Sequence, residues 1–270
     1  VSANDVILAD DIQHLKLTPA LNSNAAVTFT YTVQDAVGGT DSAVMTTNFA
    51  AVNDNPENTL GTPAAVNEDT ALDITGNSIA DVDDTSMTSV KLTADRGTFT
   101  LATSSATYAV GTQGTPASTV TIGGTVSDIN VALAAITWTS ASNDNANAVI
   151  TMVTTDDEGG ADTDTMSITV NAVNDLPTTD TTDTQAGTED TVFTGYTTSD
   201  FPFTDVDGDS ITSITITVVE SSGNLEKSED GSSYDAVSAN DVILADDIQH
   251  LKLTPATDSV ASVTFTYTVQ

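Results

Sequence analysis

Tandem β-sandwich modules, all-β and strung in a linear array, are the fold class this sequence predicts. Three observations carry that expectation. Apolar residues alternate with threonine in short runs of period two. Residues 1–34 return as 237–270 with only four differing pairs, Leu21/Thr257, Asn22/Asp258, Asn24/Val260 and Ala26/Ser262. Three further motifs recur at one shared offset of 121 residues. Self-similarity at a fixed pitch marks an array, and stacked modules hold things together or apart rather than turn substrates over.

The strands can be taken in chain order. In 26–34, Val27, Phe29, Tyr31 and Val33 point one way, and Thr28, Thr30, Thr32 and Gln34 the other. The same alternation runs through Val90/Leu92, Phe99/Leu101, Val120/Ile122, Ile136/Trp138, Met166/Ile168/Val170, Ile214/Ile216/Val218 and Leu251/Leu253. Period two is the signature of a sheet with one buried face, and threonine suits its open face. Clusters of Gly, Asn, Asp and Ser separate the runs and read as turns. Residues 127–135 are helix-like over about two turns, and 241–249 is their weaker counterpart. Many short strands between turn signals predict a β-sandwich.

The repeats set the module boundaries. Val52-Asn53-Asp54-Asn55-Pro56 matches Val173-Asn174-Asp175-Leu176-Pro177, and Glu68-Asp69-Thr70 matches Glu189-Asp190-Thr191. Asp35 with Gly38-Gly39 matches Asp156 with Gly159-Gly160, again 121 residues on. The acidic loop Asp81-Val82-Asp83-Asp84 matches Asp205-Val206-Asp207-Gly208-Asp209 at offset 124, so one loop carries an insertion. A long period of 236 and a short one of 121 leave 115 residues for the alternate module, so unlike modules alternate. Residues 1–56 are expected to be the back half of one module, 57–177 a complete module, and 178–270 the front of a third. The third piece stops where the first copy continues as Asp35-Ala36-Val37-Gly38-Gly39, so a last strand equivalent to 40–52 is expected to be missing from it.

Composition excludes several partners. Five basic residues face 39 acidic ones, for a net charge of −34. Phosphate binding needs a basic surface, so nucleic acid is not an expected partner, and anionic lipid is disfavoured too. Such charge repels itself, and the compact state should need cations. Disorder is not expected, because 39% of the residues are hydrophobic and they alternate regularly. There is no cysteine, hence no disulfide or thiol chemistry. No apolar run is long enough to span a membrane, and no leader is visible at Val1, which carries no weight for a fragment.

The ordered set of Glu-Asp-Thr, Asp-Val-Asp-Gly-Asp, Leu-Thr-Pro-Ala, Phe-Thr-Tyr-Thr-Val-Gln-Asp with Gly-Gly, and Val-Asn-Asp-x-Pro resembles bacterial cadherin-like and Ig-like tandem repeats. These occur in large secreted adhesins and repeats-in-toxin type surface proteins. The resemblance covers essentially the whole chain and implies an extracellular location. Two departures stand out: Thr-Trp138-Thr-Ser140 replaces the usual Thr-Tyr-Thr-Pro, and Asp83-Asp84-Thr85 replaces Asp-Gly-Asp.

Calcium is the cofactor these residues suggest. It takes about six to eight oxygen ligands in flexible geometry, and alternating aspartates on a loop aim several carboxylates at one point. The plainer reading is that aspartates in turns make Asx-turns and solubilise the surface. In a sandwich of this kind the linker, the acidic loop and the last turn share one end. Asn53, Asp54, Asp81, Asp83 and Asp156 are thus expected to converge at one junction, and Asn174, Asp175, Asp205, Asp207 and Asp209 at the next. Similarity to cadherins implies that Glu68, at the lower end of its module, joins the second set.

No catalytic constellation is expected. His14 and His250 occupy one repeat position beside Leu15 and Leu251, expected on a strand, where a lone histidine is ordinarily structural. No Gly-x-Ser-x-Gly elbow or phosphate-binding glycine loop is present. Trp138, at an inward position, belongs to a core rather than a sugar platform. The leading functional expectation is a structural or adhesive surface fibre whose partners are further copies of the repeat. A filament joined by strand complementation, a module binding a glycan or protein on a surface, and an accessory region of a hydrolase are the alternatives.

Overall fold

The computed structural model describes residues 1–179 and 183–270, and their contacts divide into two units, Val1–Ala172 and Val173–Gln270. Both are built from short strands. No helix among the described residues is long and apolar enough to cross a membrane.

Unit 1 contains a complete sandwich. One sheet has the strand order Ala161–Ile168, Ala148–Thr155, Ser86–Ala94, Thr119–Thr125, Thr107–Val110, and its pairs are antiparallel. The facing sheet runs Leu72–Thr75, Ala135–Thr139, Thr98–Leu101. Period two is visible in the burial, for Ala148, Ile150, Met152 and Thr154 are buried while their neighbours are not. Leu92, Val120, Ile122, Ile150 and Met152 from the first sheet meet Ile74, Phe99, Ile136 and Trp138 from the second in one core. Trp138 is 1% exposed, and its indole Nε1 donates to the Arg96 carbonyl at 3.0 Å, so the ring is buried without an unsatisfied donor. Gly97 makes room for it: at φ +69° a Cβ there would stand 2.8 Å from the ring and collide with the Thr139 carbonyl.

The helix-like stretch is an α-helix over Val126–Leu133. Thr125 caps it, accepting from the Asp128 N–H at 3.1 Å, and Ile129, Ala132 and Leu133 face the core. Its expected counterpart at 241–249 is not an α-helix. There the chain forms the strand Asp241–Leu244 and then a six-residue 3-10 helix, Ala245–His250, that seats Ile248 in the core before the next strand begins at Lys252. Two histidine expectations are corrected with it. His14 and His250 end the 3-10 helices Ala9–His14 and Ala245–His250 rather than lying on strands.

Unit 2 has a three-stranded sheet, Asp241–Leu244, Ser213–Val218, Thr266–Val269. A second sheet runs Phe193–Thr194, Lys252–Thr254, Asn224–Lys227, Asp235–Ala236. Tyr196, Phe201, Ile214, Ile216, Leu225, Ile248 and Leu251 are among its core residues.

Residues 1–55 place no side chain in either core. They form the hairpin Val27–Gln34/Thr40–Thr47 and a short 3-10 helix. The alternation of Val27, Phe29, Tyr31 and Val33 does make a strand, but its apolar face is largely uncovered. The two repeat copies show why. Ile12 is 58% exposed and its counterpart Ile248 is 0%; Leu15 is 47% exposed and Leu251 is 1%. The sequence is the same, and the copy in unit 2 packs Ile248 and Leu251 against Tyr196, Phe201, Ile214 and Leu225 of its own unit.

The core assignment predicts that Trp138→Ala lowers the stability of unit 1 by about 3–5 kcal/mol. Urea denaturation followed by circular dichroism reads this directly. A cost near zero would place the indole outside the core.

Candidate metal centre

The centre begins with two turns that fold on their own aspartates. At the first, the Asp156 N–H donates to the Gly160 carbonyl at 3.1 Å. Asp156 Oδ1 then accepts from the N–H groups of Glu158 at 3.0 Å and Gly160 at 2.7 Å. At the second, Asp81 Oδ1 accepts from the N–H groups of Asp83 at 2.8 Å and Asp84 at 2.9 Å. These are Asx-turns, the plainer reading of such aspartates. Each turn occupies Oδ1 and leaves Oδ2 for something else.

The linker ties the two turns together. Asn53 Nδ2 donates to Asp156 Oδ2 at 2.8 Å, and the Asp54 N–H donates to Asp83 Oδ2 at 2.7 Å. Gly160 lets the linker approach the first turn closely: a Cβ there would collide with Asp156 Oδ2 and stand 2.6 Å from Asn55 Oδ1 and 2.9 Å from Asn53 Nδ2.

Asp81, Asp84 and Asp156 each offer a carboxylate oxygen, and these atoms lie within 4.8 Å of one another. That spacing matches two oxygens held about 2.4 Å from a shared calcium ion. Asp156 is 2% exposed, and Asp81 Oδ2 and Asp84 Oδ2 are buried with no hydrogen-bond partner. A buried carboxylate oxygen without a donor is costly, and none of the three ion pairs among the described residues reaches these groups. An all-oxygen donor set and partnerless buried oxygens fit a hard divalent cation such as calcium.

Electrostatics agree. The charge of Asp84 beside Glu158, aided by burial and then by Asp156, holds the Glu158 carboxyl above the ordinary glutamate range. Asp156 goes the other way: the Asn53 side chain holds it below the usual aspartate range against the opposing effect of burial, with help from the N–H groups of the turn.

Asp83, expected as a ligand, accepts from the Asp54 N–H through Oδ2, and Asp84, outside the expected set, is the residue that lies with Asp81 and Asp156. Strict alternation along the loop pointed to positions 81 and 83; the turn, closed on Asp81 Oδ1, brings 81 and 84 together. Glu158 and Asn55 were also overlooked, although both flank motifs already singled out.

Unit 2 repeats half of this arrangement. Asp205 Oδ1 accepts from Asp207 N–H at 2.9 Å and Asp209 N–H at 3.2 Å, and Asp207 Oδ2 accepts from Asp175 N–H at 2.7 Å. Asn174 Nδ2 donates to the Asp175 carbonyl at 2.8 Å. Asp209 is thus the equivalent of Asp84, and Gly208, at φ +82°, is an extra residue between Asp207 and Asp209. Unit 2 contains no Asp-x-x-Gly-Gly turn; the other copy of that turn, at Asp35, makes the same bonds as Asp156, from Val37 at 2.9 Å and Gly39 at 2.7 Å. Glu68 belongs to unit 1, buried at 4% exposure beside Asn171, beyond the end of the sheet opposite Asp156.

Comparisons with known proteins add one family match. Residues 2–48 match the family model of a bacterial Ig domain. No curated protein matches the chain significantly. Among solved structures, a Ca2+-stabilized adhesin that helps an Antarctic bacterium reach out and bind ice matches at 15% identity with a TM-score of 0.20. The match covers 92% of this chain and 56% of that one, and at such a TM-score it carries no argument about fold or site.

The raised Glu158 carboxyl gives a signed prediction. A folded pKa above the unfolded one favours the folded state at low pH, and that contribution is lost as pH rises through the raised value. In chelator near pH 7, Glu158→Gln should therefore melt at a higher temperature than the parent, with the difference vanishing toward about pH 4. Equal melting temperatures at neutral pH would contradict the crowding. Over residues 2–48 the chain is similar in sequence to a bacterial Ig domain, and its described units are all-β.

Proposed function

We propose that this chain is a repeat region of an extracellular bacterial surface adhesin or fibre, with module junctions stiffened by calcium. The observation that carries the reading is the pair of buried, partnerless oxygens on Asp81 and Asp84, facing Asp156 where the linker is tied down. The Ig-domain match over residues 2–48 and the tandem repeats support the array.

Asp81, Asp84 and Asp156 would hold the cation. When bound, calcium supplies positive charge and hard coordination for oxygen donors. The protein's own residues do the rest. Asn53 and Asp54 fix the linker to the turn and the acidic loop. Asp81 Oδ1 and Asp156 Oδ1 keep both turns closed, so the remaining oxygens are already aimed. With the carboxylates unneutralised, their repulsion works against this closure and the junction acts as a hinge. The loop Asp205–Asp209, with Asn174 and Asp175, provides the same partial set for a second junction. The role is mechanical, spacing a binding surface from the cell, and it uses no nucleophile or acid–base pair. Any surface or glycan ligand is left to other parts of the array.

Chelation tests the reading. Calcium at about 100 times its Kd should stabilise unit 1 by about 2.7 kcal/mol. Calorimetry should show a lower melting temperature in EDTA, small-angle scattering a larger spread of dimensions, and added calcium should restore both. Unchanged melting and scattering would sink the proposal.

A further inference from the structure

The chain enters and leaves the complete sandwich of unit 1 at opposite ends. At one end the linker is tied to the Asp156 turn, where Asn53 Nδ2 reaches Asp156 Oδ2 at 2.8 Å. From that turn the strand Ala161–Ile168 leads away for eight residues, a length of ~26 Å. The chain then passes through Val170–Asn171 and leaves the sandwich. Tension applied through residues 52 and 172 therefore acts along the strands of this sheet.

One short pair fastens the start of this sandwich to its end. Val66–Asn67 pairs with Val170–Asn171, and among the described residues it is the one parallel strand pair. The Val66 N–H donates to the Thr169 carbonyl and the Glu68 N–H to the Asn171 carbonyl, both at 3.0 Å. Two side chains reinforce the pair. Asn147 Oδ1 accepts from the Val170 N–H at 3.0 Å, and Asn171 Nδ2 donates to Asn67 Oδ1 at 3.4 Å. Val66 and Val170, each 7% exposed, belong to the core and cover the pair with apolar surface. The parallel sense decides how the pair meets a load. Opposite pulls before Val66 and after Asn171 slide the two strands past each other, so the bonds are strained together. Strands peeled from one end would lose their bonds singly.

We propose that this pair is a mechanical clamp: under tension the sandwich holds until Val66–Asn67 and Val170–Asn171 slide apart, and the core opens only afterwards. That the chain works under tension rests on the fibre reading. The clamp itself rests on the pairing, and none of its donors or acceptors belongs to the acidic turns. Forced unfolding follows the unfolding barrier rather than the equilibrium stability. Interactions broken at the barrier change the rate, and interactions still intact there do not. Clamp and core are thereby separable. Ile136, 0% exposed on the facing sheet, stays packed while the clamp yields.

Force spectroscopy on the full chain in chelator tests it. The chain has no cysteine, so Val52→Cys and Leu176→Cys, at positions 80% and 84% exposed, attach handles that load this sandwich and its linkers. The expected event releases residues 67–170, ~35 nm of extended chain. Val66→Pro removes the N–H given to Thr169, and Val170→Ala trims the apolar cover. Each should speed unfolding at fixed force by roughly tenfold or more, with the circular dichroism at rest unchanged. Val170→Ala carries the test alone should the proline variant not fold. Ile136→Val should lower stability in urea yet leave the rate under force nearly unchanged. An unchanged rate in the clamp variants overturns the proposal. So does a rate in Ile136→Val raised as much as theirs. Calcium is absent throughout, so failure here leaves the calcium reading to its own melting test.

Discussion

Crowding of carboxylates at the module junction is the constraint on which the rest depends. Asp81 and Asp84 belong to one turn and Asp156 and Glu158 to another, and the backbone of each turn is closed by an aspartate of its own. Closing the turn uses Oδ1. Oδ2 is then left to face the neighbouring turn, where the groups are like-charged and partly desolvated. Two like carboxylates in such a place raise each other's cost of ionisation, as Glu158 shows. Among the described residues no ion pair reaches these carboxylates, and five basic residues serve 39 acidic ones. A cation held there, as proposed, would offset this repulsion.

The same economy recurs along the array. The turns at Asp35 and Asp156 make the same bonds, and Gly38 and Gly159 both sit near φ +90°, at +94° and +92°. Asp69 and Asp190 share the left-handed conformation at φ 58° and 57°, and accept from the N–H groups of Asn143 and Asp258. Local hydrogen bonding therefore repeats faithfully. Burial does not. Ile12 and Ile248 have the same neighbours in sequence and opposite environments, because hydrophobic burial needs a second layer that local sequence does not supply.

This separates what the sequence made legible from what it hid. Alternation located the strands of the sandwich, including Ile136/Trp138 and Ile214/Ile216, because a half-buried strand has period two whatever it packs on. The repeat offset located the junction motifs, because turn chemistry is local. The 3-10 helix Ala245–His250 was only partly legible, because 241–249 read as one helix-like stretch while its first four residues, Asp241–Leu244, form a strand, and local pattern does not show where one element gives way to the next. Asp84 was missed for a related reason. Alternation along a loop suggests which residues share a side only if the loop is extended, and this one turns back on Asp81. The exposed face of Val27–Val33 was invisible, because alternation says which side is apolar and not whether anything covers it.

The central claim is that Asp81, Asp84 and Asp156 hold a cation while Asp83 holds the linker. Titration calorimetry of the chelated chain with calcium, comparing Asp84→Asn with Asp41→Asn on the exposed hairpin, tests it most directly. The account predicts that Asp84→Asn weakens the tightest site at least tenfold and that Asp41→Asn leaves it unchanged. Equal affinity in the parent and both variants would contradict it.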